Sequence, residues 1–117
     1  MNPIYDRNGN VVAWLDGEDI YNLHGGHTAV LNGEDVYGHG GQHLGLLDDG
    51  LFRDHYGAVV AFLEGATGGP LLPIPLIPPI PPIPAIPPIP SIPSIPPIPA
   101  IPLCGWSIMS WDHFINR

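Results

Sequence analysis

The sequence predicts an all-β fold: four pseudo-repeated β-hairpins forming an eight-stranded antiparallel meander able to close into a small barrel. Three observations predict it. A sixteen-residue repeat runs without a gap through units 4–19, 20–35, 36–51 and 52–67. Asn-Gly, Asp-Gly and Glu-Gly pairs recur at fixed places in these units, between short apolar runs, as tight turns do. Both kinds of connection are short, so sequential strands are antiparallel, and eight of them suffice to close a barrel without open edges.

The first unit, IYDRNGNVVAWLDGED, sets the pattern. A strand over 4–7 meets a turn at Asn8-Gly9, where a type I′ turn wants positive φ at both residues. A second strand over 10–15 follows, and Asp16-Gly17 leads into the next unit. Across the units the columns read Gly9, Gly25, Gly41, Gly57; Leu15, Leu31, Leu47, Leu63; and Ala13, Ala29, Gly45, Ala61. The first column is Ile4, Ile20, Val36, Phe52, followed by Tyr5, Tyr21, Tyr37 and then Arg53. Alternation places Val11, Ala13 and Leu15 on one face. The small column lets four strands crowd toward an axis. The other face carries Val12 and Trp14 and their equivalents, so both faces need cover.

The chain divides into a four-hairpin domain at 1–69, a Pro/Ile-rich arm at 70–102 and a closing segment at 103–117. Of 17 prolines, 16 lie in the arm, which reads Ile-Pro-x from Ile74 to Ile101. Proline fixes φ and disfavours helix in the residue before it, so polyproline II is the natural state, with three residues per turn and isoleucine along one edge. At ~3.1 Å per residue the arm reaches roughly 100 Å. It reads either as a low-complexity insertion of neutral length joining the last hairpin to the closing segment or as an apolar, semi-rigid rod that packs on its own domain, on another copy or along a membrane surface; in both readings it is dispensable for the fold. In the closing segment, Ser110 is placed to cap a short helix with Asp112 in its first turn. Ile108, Trp111 and Ile115 then share a face, and with Trp106 and Phe114 they are expected to cover the barrel.

The residues YDRNGNVVAWLDGEDIY, QHLGLLDDGLFRDHYGAVVAF, Gly68-Gly69-Pro70 and GWSIMSWDHFI resemble the four-fold β-flower family, small bacterial proteins without an assigned activity. The resemblance covers 4–70 and 104–115. It implies a shallow eight-stranded barrel-like flower with pseudo-four-fold symmetry, four hairpin petals about one axis, and carries no catalytic or binding residue. In outline such folds are similar to Tubby-like barrels, which bind phosphoinositides, but shape does not transfer function. The segment YDRNGNVVA also resembles the YD repeats of large secreted shell proteins; those repeats are longer and run in long arrays.

Charge narrows the functions. Residues 1–69 hold ten acids against Arg7 and Arg53, and the chain contains no lysine. A net charge of −8 repels phosphate backbones, so no nucleic-acid partner is expected. No signal peptide and no transmembrane span are read, and the expectation is a cytoplasmic protein, with peripheral membrane association as an alternative. Cys104 stands alone, which leaves no disulfide framework.

Six histidines raise a metal. His27 and His43 share one column and are the candidates, but zinc wants three or four ligands and the column gives two. Asp16, Asp48 and Glu64 sit at turns, where backbone hydrogen bonding is their usual role. No nucleophile elbow and no paired carboxylates appear, so no enzyme and no cofactor are expected. The reading is a non-enzymatic interaction or assembly module, with an unknown protein or a second copy as partner. The alternative is a lipid- or membrane-surface binder; a small metal-binding protein using histidines is weaker.

Overall fold

The computed structural model describes residues 1–88 and 92–117; Ile89, Pro90 and Ser91 of the arm lie outside the described residues. Eight strands close into one antiparallel barrel in sequence order. They are β1 (Asn2–Tyr5), β2 (Val11–Asp16), β3 (Asp19–Tyr21), β4 (His27–Asn32), β5 (Asp35–Gly38), β6 (His43–Asp48), β7 (Leu51–Arg53) and β8 (Val59–Leu63). β1 seals against β8, with Ile4 opposite Leu63 and Tyr5 opposite Phe62. The molecule is a disc, 37 × 36 × 21 Å.

The hairpin tips differ from the expected two-residue turns. β1 ends at Tyr5, and Asp49 is the one non-glycine at positive φ among the described residues, so Asn8-Gly9 is not type I′. The reason is a side chain. Asp6 Oδ1 accepts from the Asn8 and Asn10 amides at 2.9 and 3.0 Å and closes a wider loop. Asn22 and Asp54 do the same at the second and fourth tips. Positive φ at both central residues occurs instead between hairpins, at Asp49-Gly50.

Each hairpin carries the same β-bulge, and this corrects the expected alternation. Ile4 pairs with Ala13 but Tyr5 with Val11, and the shift recurs at Tyr21–His27, Tyr37–His43 and Arg53–Val59. The extra residue flips what precedes it. Val11 therefore joins an outer cluster with Tyr5 and Phe62, while Val12 turns in against the core. Leu44 and Val60, at Val12's place in their units, are buried there too.

The core lies on the axis. Ile4, Ile20, Val36 and Phe52 meet Ala13, Ala29 and Ala61 at its centre, and the leucine column rings them, with Leu31, Leu47 and Leu63 partly buried. The closing segment fills one side. Helix α1 (Trp111–Ile115) is capped by Ser110 Oγ, which accepts from the His113 amide, and it buries Trp111, Phe114 and Ile115. Gly45 breaks the alanine column where Phe114 enters: a Cβ there would strike the Phe114 ring and the Arg53 carbonyl. Trp106 packs on the outer cluster beside Phe62.

Ile108 departs from the expected packing and is fully exposed. It precedes the cap, in a turn where Ser107 Oγ donates to Asp54 Oδ2 and accepts from the Met109 amide, so helical spacing does not reach it. Met109 takes the place against the core.

Candidate functional site

Two features stand apart from the core: the seat of the arm and a pair of Asp–His–His chains. The arm is pinned by its backbone at all four tips. The amides of Leu76, Ala85, Ser94 and Leu103 donate to the carbonyls of Gly9, Gly25, Gly41 and Gly57, at 3.0, 2.8, 2.8 and 3.1 Å. The donors are nine residues apart and the acceptors sixteen. Nine is three turns of a polyproline II helix, so each contact uses the same edge of the arm. At ~3.1 Å per residue one such step covers ~28 Å, a quarter of a circle ~36 Å across, against disc extents of 37 × 36 Å. A helical segment of that length would cover only ~14 Å and could not reach the next tip.

Glycine is required at the tips for two reasons. Gly9, Gly25 and Gly57 hold φ of 80°, 88° and 84°, and a Cβ on them would collide with the carbonyls of Ile74, Ile83 and Ile101. The arm's proline pattern fits the same seat. The four donor positions are non-proline, as they must be to offer an N–H, whereas Pro79, Pro82, Pro88 and Pro97 occupy other x positions.

This geometry decides where the isoleucines go. Each described one from Ile74 to Ile101 is between 84% and 96% exposed. The arm grips the barrel with backbone and proline and turns its isoleucine edge away.

Arg53 closes the circle. It stands where three units have tyrosine, and its guanidinium donates to the carbonyls of Gly57, Leu103 and Gly68 at 2.6, 2.7 and 3.1 Å. Gly68 precedes the arm and Leu103 follows it, so one buried side chain ties both ends to the fourth tip. The departure from tyrosine falls where the chain must cross itself.

The bulges create the histidine chains by turning His27 and His43 outward, edge-on to Tyr21 and Tyr37. His27 Nε2 donates to Asp19 Oδ1 at 2.9 Å, since a carboxylate only accepts, and its Nδ1 faces His39 Nε2 at 2.7 Å. One unit on, His43 Nε2 donates to Asp35 Oδ1 at 2.9 Å and its Nδ1 faces His55 Nε2 at 2.9 Å. The paired rings are nearly coplanar, 4° and 11° apart, with centroids 4.9 and 5.1 Å apart. Centroid separation grows with the N···N distance, as for rings joined edge to edge along one hydrogen bond rather than stacked face to face. Each inner histidine spends both nitrogens in its own chain. His27 and His43 thus belong to two separate hydrogen-bonded chains, and no group of three or more His, Cys, Asp or Glu among the described residues is placed to hold a metal ion.

His55 is harder to protonate than an ordinary histidine. Partial desolvation of its still exposed ring is the main cause, with electrostatic repulsion from Arg117 and then His43 adding to it. A cavity of about 260 Å³ lies between each chain and the arm. Pro88 and Pro93 wall the first, beside His27 and His39; Pro97 and Pro99 wall the second, beside His43 and His55.

Sequence reasoning missed these chains, though a signal existed. The sets Asp19, His27, His39 and Asp35, His43, His55 have identical spacings of 8 and 12, displaced by one repeat. Each set spans three units, so inspection of single columns shows only one member of it.

Residues 2–115 match the family described as 4-fold beta flower protein. The chain belongs to that family. The match runs through the arm and reaches into α1, so in this β-flower the belt of Ile-Pro-x lies within the matched span. No curated protein and no solved structure matches the chain. Among the described residues, no helix is long and apolar enough to cross a membrane.

Proposed function

We propose that this β-flower is a non-enzymatic interaction module whose contact surface is the isoleucine edge of the arm. The observation that carries this reading is the outward exposure of the described isoleucines on a backbone fixed at four points. Monomeric proteins rarely expose contiguous apolar area beyond a few hundred Å², and larger patches mark interaction sites. Burying one isoleucine is worth ~1.5–3 kcal/mol, so a few of them on a rigid frame suffice for association.

A second copy of the chain is the first partner, because the edge repeats on itself and two such edges are mutually complementary. Sedimentation equilibrium tests this on wild type beside the triple variant Ile77→Ser, Ile86→Ser, Ile95→Ser. Mass that rises with concentration in wild type and not in the variant supports self-assembly. A wild type that stays monomeric into the high micromolar range removes it.

A lipid surface is the second reading, favoured by the placement of charge. Asp16, Glu18, Asp19, Glu34, Asp35, Asp48, Asp49 and Glu64 lie at the connections between hairpins, the opposite strand ends from the tips that seat the arm. No charged residue occurs from Gly65 to Ser110. Flotation with neutral phosphatidylcholine vesicles separates the readings: lipid association carries the protein upward at concentrations where it is monomeric.

A further inference from the structure

We infer that the four hairpin tips form a receptor track for an extended proline-rich strand, and that the arm is its intramolecular occupant. Recognition runs through features that any such strand can supply. Each tip offers one outward glycine carbonyl and a glycine Cα with no side chain in the way. Each accepts one N–H, and at Gly9, Gly25 and Gly57 that N–H comes two residues after a carbonyl that lies against the glycine Cα. The described isoleucine side chains take no part, since they point into solvent. The strand that fits is therefore stiff and extended, with a free amide every ninth residue and prolines between.

The stiffness is required by magnitude. A net backbone hydrogen bond contributes no more than the conformational entropy lost in ordering a single flexible residue. Four bonds cannot immobilise a soft chain of this length, and they suit one that proline has already extended. The ligand class follows: a proline-rich peptide in polyproline II form, of which the arm of another copy is one source. Tethering at both ends gives the cis arm a high effective concentration, so a peptide in trans competes only when the arm is loosened.

Amide hydrogen exchange on the wild-type full chain tests the occupied track. The amides of Ala85 and Ser94 should exchange at least ~10-fold more slowly than those of Ile86, Ile95 and Ala100 in the same arm. Equal rates would overturn the inference. The second arm uses the full chain carrying Ala85→Pro and Ser94→Pro, which removes two donors while keeping the strand extended. Ala100→Pro serves as the control that removes no donor used by a tip. A fluorescent peptide IPAIPPIPSIPSIPP should bind the double variant and should not bind wild type or the control. The same peptide with proline at its third and twelfth residues should not bind any of them. Failure of the first peptide on a folded double variant, or equal binding of both peptides, would sink the track. If the double variant does not fold, Ser94→Pro alone opens the third tip and the same comparison applies.

Discussion

The guanidinium of Arg53 donates to the carbonyl of Leu103 at 2.7 Å, across fifty residues of sequence. The same group holds Gly57 and Gly68, so it fixes the entry and exit of the arm against the tip between them. Hydrogen bonds from a charged donor are worth ~1.5–3 kcal/mol each. Arg53→Met should therefore destabilise the protein by about 3 kcal/mol or more. Arg53→Tyr, which restores the residue of the other three units, should not rescue it. Urea unfolding measures both, and an unchanged midpoint in either variant would contradict the clasp.

Gly25 and Gly33 separate the two demands on glycine. Both have positive φ, but a Cβ on Gly33 meets nothing within 4 Å, whereas one on Gly25 strikes the Ile83 carbonyl. Gly33→Ala should cost only the left-handed backbone penalty, ~1–2 kcal/mol. Gly25→Ala should cost at least ~1 kcal/mol more, because it also dislodges the arm. Equal losses would mean that the arm contributes nothing at this tip.

Phe114 is the plug of the barrel. Phe114→Ala should cost ~3–5 kcal/mol, as large-to-small changes in cores do. Gly45→Ala should disturb the same contact from the other side. Ile108→Ser, at a fully exposed position, should stay within about 0.5 kcal/mol of wild type. Loss of cooperative melting on deleting 105–117 would follow from the same packing, and a truncated chain that melts like wild type would refute it.

Acid should weaken the protein through His55. Its pKa in the fold lies below the ordinary 6.5 of the unfolded chain, so the unfolded state takes up the proton first. Stability from this group is intact above 6.5 and falls as pH drops through that value toward the folded pKa, where the loss is complete. His55→Gln should flatten the profile between pH 7 and pH 5. Thermal melts across that range measure it, and an identical slope in the variant would exclude His55 as the source.

Four hairpins, their sixteen-residue period, the small column at the axis and the capped turn around Ser110 are legible along the chain. These depend on the repeat, on glycine at turns and on capping, which act between residues close in the chain, whereas the turn type at the tips and the face of Val11 and Val12 were set by side-chain closure and by the bulge. The equal spacings of Asp19, His27, His39 and of Asp35, His43, His55 were also present along the chain, but their meaning needed the bulge, which decides which face each histidine takes. The path of the arm is not legible along the chain and is set by the folded barrel. A nine-residue period and a sixteen-residue period share no register along the chain. They meet because an extended strand advances about twice as far per residue as a helix does, and a quarter of this barrel's rim is as long as nine residues of it. Closure also explains Arg53. A side chain that must hold both ends of the arm has no counterpart in units the arm merely passes, so its departure from tyrosine could not be read from the repeat alone.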